Sequence, residues 1–312
     1  MNIQSNSMPE SFQAHTIAAA TIPARQALLW SVRRELWENR AIYLAPPGVA
    51  GVFLLGFVIS LAHLPAKIRA ISSLDAMQAR AVVAMPYDFG AGLMMATAIL
   101  VSVFYCLDAL HSERRDRSIL FWKSLPVSDT TTVLAKTSVP FLIMPVLAAV
   151  AGAVLQFLML LLSSAVLLAS GQSTAVATLW KQLPVMPMSL LLLYHLLTAH
   201  ALWPAPVYAW LMLVSGWARR AAFLWATLPL VVIGALEQLL FHSSRFLVMV
   251  GHRFIGKANA NVSTPDQIFP TNPMTHITPG AFLSNPELWI GLAVAVLFLA
   301  LAIRLRRSAG PI

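Results

Sequence analysis

The chain has 312 residues, of which 58% are apolar and 11% are charged. Ordinary soluble domains are about 45 to 50% apolar and about 25% charged, so this composition excludes a soluble globular protein. The net charge of +9 comes from basic residues in short clusters between apolar blocks, a pattern typical of membrane topology signals and not of nucleic-acid binding. The single cysteine, Cys106, excludes an intrachain disulfide and a cysteine-ligated zinc site.

The N-terminal part of the chain divides into a polar tail and an amphipathic segment. We interpret residues 1–23 as a disordered tail, because they are polar and rich in Ser, Ala and Thr. No Lys or Arg precedes the short apolar stretch of this tail, so the tail does not fit a signal peptide. Residues 24–44 predict an amphipathic helix that lies on the membrane surface, with a plain extension of the first span as the alternative. We expect Pro46 and Pro47 to break the helix direction before that span.

Six apolar blocks have the length that crosses a bilayer. They lie near residues 47–64, 89–110, 137–169, 187–215, 221–241 and 287–306. The sequence therefore predicts an all-α integral membrane protein with six transmembrane helices and an N-terminal amphipathic interfacial helix. The sixth block starts with Asn285, Pro286 and Glu287, a typical helix N-terminus.

Prolines interrupt two of the blocks. The third is 33 residues long, roughly 50 Å as a helix, against about 30 Å of hydrocarbon. It must tilt, project into water or break at Pro140 or Pro145. In the fourth block, Pro204 and Pro206 remove the N–H donors that would bond to the carbonyls four residues earlier, so we expect a kink there. A gating hinge at these two prolines is the alternative interpretation.

The basic residues are distributed unequally across the six blocks. Fourteen of the 21 Lys and Arg residues lie on the side that carries both termini and the loop 111–136, and seven lie on the other side. The positive-inside rule then predicts that both termini and this loop are cytoplasmic. The loop 242–286 is predicted to be extracytoplasmic.

The sequence offers little that would support catalysis or metal binding. Residues 251–258 fit the G-x-x-x-x-G-K part of a nucleotide-binding loop, but Ala258 replaces the magnesium-binding hydroxyl residue and no strand precedes the segment. The histidines lack ligand spacing, so we expect no metal site. Of the two acids in or near the spans, we interpret Asp108 as an ion-pair partner. Glu237 fits equally a translocation pathway or a capped structural role.

The loop 111–136 is the most informative polar segment. Glu113 and Arg117 have the spacing of a helical ion pair, and Ser128 and Asp129 can cap the helix that follows. Bulky apolar residues lie between these two features. The loop is therefore suited to docking on a soluble partner, and anchoring at the membrane interface is the alternative. The candidate docking residues are Glu113, Arg114, Arg115, Asp116, Arg117, Phe121 and Trp122.

Two segments resemble a known family. Residues Glu113–Lys136, ERRDRSILFWKSLPVSDTTTVLAK, resemble the cytoplasmic loop of bacterial ABC-2 type transporter permeases. Residues Leu202–Pro229, LWPAPVYAWLMLVSGWARRAAFLWATLP, resemble the region of spans four and five in the same permeases. The resemblance implies an ABC-2 type transmembrane domain over residues 24–312. It also implies a coupling helix at 113–125 and an extracellular re-entrant region between spans five and six.

The expected function follows from this resemblance. It implies the permease subunit of a type V ABC exporter in a bacterial inner membrane, working as a dimer with a second copy or a related permease. The chain itself would be no enzyme and hold no cofactor, because a separate ATPase subunit would bind ATP and Mg. Two alternatives remain: an ion-coupled secondary transporter that uses Asp108 and Glu237, or a membrane sensor or immunity protein without transport.

Overall fold

The computed structural model of the chain describes residues 23–71, 75–125, 127–255, 279–308 and 310. Regular structure within these ranges is helical and includes no strand, which confirms the all-α prediction. Six helical segments are long and apolar enough to cross a membrane, so this is a multi-pass membrane protein. These segments are Ala41–Ile71, Met77–Arg115, Asp129–Ala169, Ser173–Leu202, Ala222–Phe241 and Pro286–Ser308. Each overlaps one predicted span, whereas residues 1–22 of the predicted tail lie outside the described residues.

The described ranges contain fifteen α-helices, some of them joined by short 3-10 or π-helical turns. The helices are α1 (Ala24–Glu38), α2 (Ala41–Ser60), α3 (Leu64–Ile71), α4 (Ala76–Asp108), α5 (His111–Arg115), α6 (Ile119–Ser124), α7 (Asp129–Ser138), α8 (Met144–Ala169), α9 (Ser173–Gln182), α10 (Val185–Leu197), α11 (Ala205–Trp217), α12 (Ala222–Phe241), α13 (Arg245–Ile255), α14 (Pro279–Leu283) and α15 (Pro286–Ser308).

The chain leaves the helical path between α1 and α2 at Asn39, and not at the prolines. Asn39 has φ −114° and ψ 74°, so α1 is a helix of its own and does not simply extend the first span. Pro46 and Pro47 lie inside α2, and the predicted break at these residues is wrong. Each proline removes one backbone bond to the carbonyl four residues earlier, but the rest of the helical ladder is retained, as membrane helices tolerate.

The long third segment contains a π-helical turn where a break is expected. This turn covers Val139–Ile143 and includes Pro140, and the N–H of Met144 bonds to the carbonyl of Val139, five residues earlier. Pro145 lies in the first turn of α8. The prolines therefore change the local winding between α7 and α8, with one wider turn absorbing the missing donor.

The predicted fourth span is interrupted more strongly. A π-helical turn follows α10, and Pro204 lies between that turn and α11. The carbonyl of His200, which Pro204 leaves without its helical donor, accepts a hydrogen bond from the Tyr208 hydroxyl at 3.0 Å. A buried carbonyl needs such a partner, so Tyr208 stabilises the break. With 13 residues, α11 extends only about 20 Å and does not cross a membrane alone.

The centre of the protein is formed by α4, α8 and α11. Helix α11 packs against α15 and α4, and α8 packs against α2, α4 and α10. The apolar core has two main parts, one around α4, α11 and the first half of α8 and the other around α2, α4, α8 and α9. Helix α12 has the smallest buried share among the six long segments, so most of its apolar surface is available to lipid.

Three parts of the chain meet at one end of the helical assembly. Arg114 Nη1 donates to the carbonyl of Gly216 at 2.6 Å, and its Nε donates to the carbonyl of Gly310 at 3.2 Å. A ring nitrogen of His111 lies 3.1 Å from the carbonyl of Ala218. The loop after α4, the end of α11 and the C-terminal residues therefore lie on the same side of the helical assembly. This agrees with the sequence analysis, in which the basic residues of these three regions are assigned to one side.

At the opposite end, α13 folds back along α12 into the helical assembly. A Cβ atom at Gly234 would lie 2.5 Å from the side chain of Leu247, so glycine is needed for this close approach. Arg253 donates to the carbonyl of Trp203 at 3.2 Å and to that of Glu287 at 3.0 Å. Helix α13 is thereby tied to the break before α11 and to the start of α15.

Candidate functional site: a buried charge cluster

Six charged side chains form one cluster at the end of the assembly that holds the loop after α4. Three are cations and three are anions, and they come from α1, α5, α7 and α15, which are distant in sequence. The members of this charge cluster are Arg34, Glu35, Glu113, Asp129, Lys136 and Arg306. Burying charges is costly unless each is paired, so their balance is a condition for the fold.

Glu35 of α1 is the most deeply buried member, with 0% of its side chain exposed. The Lys136 ammonium lies 2.9 Å from one carboxylate oxygen of Glu35, and the Tyr105 hydroxyl donates to the other at 2.8 Å. Arg34 donates to Glu35 at 2.6 Å. The carboxylate therefore has a partner on α4 and another on α7, and it fixes α1 to both helices.

Glu113 of α5 joins three elements. Its side chain is 4% exposed and lies 3.1 Å from Arg34, 3.2 Å from Lys136 and 2.9 Å from Arg306. Charge-assisted hydrogen bonds of this kind are stronger than neutral ones and are directional. Glu113 thus holds the loop after α4 to α1, α7 and the last helix at the same time.

The short helix that the spacing of Glu113 and Arg117 predicts is present as α5, but Arg117 lies outside it and the two residues do not share a helix. Arg117 has φ 59°, in the left-handed region, and it lies in the turn between α5 and α6. A continuous helix through residues 113–117 is required for a helical ion pair at this spacing, and α5 ends at Arg115. The segment 113–125 is therefore two short helices with a turn between them, and not one coupling helix.

Asp129 and Arg306 extend the cluster to the start of α7. The guanidinium of Arg306, which is 4% exposed, bonds to both Asp129 and Glu113. Asp129 lies in the first turn of α7, and the Ser128 hydroxyl accepts from the N–H of Thr131 at 3.1 Å, so the predicted cap is confirmed. An acid in this position also complements the helix dipole.

The cationic neighbours control the ionisation of Glu35. Burial alone would raise the pKa of its carboxyl group, but the Lys136 ammonium and the Arg34 guanidinium outweigh burial and hold that pKa below its ordinary value. Glu35 is therefore ionised at neutral pH. The stability that it contributes is lost as the pH falls through the lowered pKa.

The two aromatic residues of the loop face different surroundings. Trp122 is half-buried, and the guanidinium of Arg34 lies 4.0 Å from its ring centre, so Trp122 packs on the charge cluster through a cation–π contact. Phe121 is 60% exposed and Leu120 is 59% exposed. Helix α6 thus presents an apolar surface outward while its inner side is attached to α1.

The remaining predicted docking residues differ in their surroundings. Arg114 contacts backbone carbonyls of the neighbouring segments, and Arg115 pairs with Asp116 at 3.0 Å on the surface, where both side chains are 60% exposed. Among the predicted set, Glu113 is part of the buried cluster, and four residues are exposed and so accessible to a partner: Arg115, Asp116, Arg117 and Phe121.

The other predicted site residues lie elsewhere. Pro204 and Pro206 flank the start of α11, next to the α13 contact. Glu237 of α12 accepts from the Ser243 hydroxyl at 2.7 Å and from two backbone N–H groups at the start of α13, at 3.0 and 2.8 Å. This arrangement supports the capped structural role of Glu237. Asp108 is exposed at the end of α4.

Sequence reasoning missed five members of this common site, namely Arg34, Glu35, Asp129, Lys136 and Arg306. One signal was present in α1, where Ala27, Ser31 and Glu35 follow each other at four-residue intervals and form its buried face. Two small residues in that row allow another helix to approach closely. An acid that continues such a row is a candidate for a buried ion pair.

The described part of the chain contains no group of three or more His, Cys, Asp or Glu residues that could hold a metal ion. The residues of the nucleotide-loop pattern within it, 251–255, are helical, and residues 256–258 lie outside it. Comparison with protein-family models, curated proteins and solved structures found no match. The functional interpretation therefore depends on the site itself and on the resemblance of the two segments.

Proposed function

We propose that the chain is the permease subunit of an ABC exporter. In this proposal it forms a translocation pathway together with a second copy or a related permease. A separate ATPase subunit binds ATP and Mg and docks on the cytoplasmic loop after α4. The membrane is the bacterial inner membrane, with both termini in the cytoplasm.

The observation that carries the proposal is the two-sided character of α6. Its outer side offers Leu120 and Phe121, which are the kind of apolar anchors that dominate protein interfaces. Its inner side is attached through Trp122 to Arg34, and so to the charge cluster. Movement of α6 by a bound partner would therefore be transmitted through the Trp122–Arg34 contact to α1 and the charge cluster.

The charge cluster supports a transmission role by its position. It joins α1, the end of the second segment, the start of the third and the end of the last. Displacing α5 and α6 must either displace these segments together or separate buried charges, which costs several kcal/mol. Closure of two ATPases would thus be passed to the helices that surround the pathway.

The contacts of Asp108 and Glu237 favour neither of the two alternative functions, an ion-coupled secondary transporter or a membrane sensor or immunity protein. A proton-coupled transporter needs an acid that can change partners in the membrane. Glu237 is instead held by the Ser243 hydroxyl and by two backbone N–H groups at the start of α13. Asp108 is exposed at the helix end and near Arg115. A sensor or immunity protein could use the same apolar surface, and its test is the nature of the bound partner.

The test removes the outer anchors and keeps the contact between Trp122 and Arg34, although Phe121→Ala also removes the ring contact of Phe121 with Trp122 at 4.9 Å. Leu120→Ala with Phe121→Ala should weaken capture of the ATPase by about thirtyfold or more, because one interface anchor typically contributes about 2 kcal/mol. Trp122 is not changed, since its loss would also disturb Arg34. The measurement is the amount of ATPase co-purified per folded permease, together with transport in vesicles.

A matched control is available on α4. Leu100 and Phe104 are 57% and 65% exposed and lie one helical turn apart within the second span. Leu100→Ala with Phe104→Ala should leave capture unchanged. Normal ATPase capture by the Leu120/Phe121 variant, or equal losses in both variants, would contradict the docking role.

A further inference from the structure

A groove runs along the outside of the protein between α2 and α4. Its volume is about 970 Å³, at the upper end of the range of about 300 to 1,000 Å³ typical of small-molecule sites. Its walls include Phe53 and Phe57 of α2 and Phe89 and Leu93 of α4. The rings of Phe53 and Phe89 are 5.7 Å apart, so the two helices share one aromatic wall.

The floor of the groove is formed partly by helix backbone. Gly48 and Gly56 line it, and a Cβ atom at either position would meet nothing within 4 Å. The space above these two residues is therefore open, since glycine has no side chain to fill it. An elongated apolar chain fits such a space better than a compact polar molecule.

Polar groups are concentrated at one end of the groove. Lys67 of α3 lines this end together with His63 and Ser60, whereas the walls toward Gly48 are apolar. From Gly48 to Lys67 the chain extends roughly 29 Å at about 1.5 Å per residue, close to the hydrocarbon thickness of about 30 Å. Lys67 is exposed and lies on the side opposite the charge cluster.

We propose that this groove binds one anionic phospholipid of the surrounding bilayer. An acyl chain lies along the aromatic wall and over the two glycines, and the headgroup phosphate pairs with the Lys67 ammonium. The charge complementarity decides the occupant, because an apolar helix of a second protein copy would leave the ammonium without an anion. This inference is independent of the proposed transport function.

The test uses purified protein in phosphatidylcholine vesicles that contain a small fraction of phosphatidylglycerol with a photoreactive group near the end of one acyl chain. Illumination should attach the lipid to the groove walls on α2 and α4, located by mass spectrometry of the peptides. Gly56→Leu fills the groove without a clash, and we expect it to reduce this attachment at least fivefold. Gly51→Leu is the matched control, since Gly51 is also open but does not line the groove.

The headgroup contact is tested separately. Lys67→Gln should reduce the preference for phosphatidylglycerol over an equally labelled phosphatidylcholine about fivefold, the effect of one lysine near a membrane surface. Lys181→Gln, a change of an exposed lysine of α9 outside the groove, should preserve the preference. Uniform labelling around the protein, labelling that Gly56→Leu does not reduce, or a second protein copy cross-linked in the groove would each overturn the proposal.

Discussion

Replacing Lys136 by Met tests whether the charge cluster holds α1 against α7. Methionine resembles lysine in having an unbranched chain, but it lacks the ammonium that lies 2.9 Å from Glu35 and 3.2 Å from Glu113. Removing one partner of a buried ion pair costs about 3 to 5 kcal/mol. We expect the lower end of this range, because both carboxylates keep an arginine partner. About 3 kcal/mol corresponds to a roughly hundredfold increase in local opening.

The assay measures that opening through a cysteine on the buried face of α1. Ser31 is 8% exposed and lies on that face, so the thiol of Ser31→Cys reacts with a maleimide only when α1 separates. The native thiol of Cys106 is 0% exposed and serves as an internal reference for wider unfolding. In Lys136→Met the reaction at position 31 should become about a hundred times faster, while that at Cys106 stays slow.

Two further variants separate charge pairing from a general effect. Lys181→Met changes an exposed lysine at the opposite end and should leave the labelling rate unchanged. Combining Lys136→Met with Glu35→Gln restores equal numbers of buried cations and anions, so we expect the rate to return part of the way. An unchanged rate in Lys136→Met, or an equal increase in Lys181→Met, would refute the reasoning.

Acidification should also release α1, because protonation of Glu35 below its ordinary pKa of 4.5 removes the anion that Lys136 and Arg34 surround. The labelling rate at position 31 must be divided by that of a fully exposed cysteine at the same pH, because the thiolate that reacts becomes rarer in acid. This ratio should rise as the pH falls below that value, and a constant ratio down to about pH 3 would contradict the prediction. Tyr208→Phe should lower the free energy of unfolding by about 1 to 3 kcal/mol, because the His200 carbonyl loses its hydrogen-bond donor. An unchanged melting temperature would refute this role of Tyr208. Impermeant reagents should label cysteines at positions 75 and 178 from outside and at positions 125 and 218 only in opened cells. Labelling of position 125 in intact cells would contradict the proposed orientation.

Local features of the fold could be predicted because local sequence determines them. The six long helices follow from the length of the apolar blocks. The start of α15 follows from Asn285, whose side chain accepts from the N–H of Glu287 at 3.0 Å. Pro46 and Pro47 misled the prediction because a proline signals a lost backbone bond, and only packing decides whether the helix bends at that point.

The candidate site could not be predicted in the same way. Glu35 and Lys136 are 101 residues apart, and Glu113 and Arg306 are 193 residues apart. No periodicity connects residues at such separations, since their pairing results from how α1, α5, α7 and α15 meet. The same limit applies to Phe121 and Trp122, which are neighbours in sequence but differ in burial because only Trp122 reaches Arg34.

The ionic nature of the cluster has a consequence for how α5 and α6 could act on the membrane segments. Well-packed apolar residues in its place would often be equally stable or more stable, so stability alone does not account for buried charges. Apolar surfaces can shift against each other by small steps, whereas Glu113 with three cationic partners can only exchange one set of directional bonds for another. Movement of α5 and α6 is therefore expected to pass between discrete arrangements of α1, α7 and α15, which is the property that the proposed transport function would require of a switch.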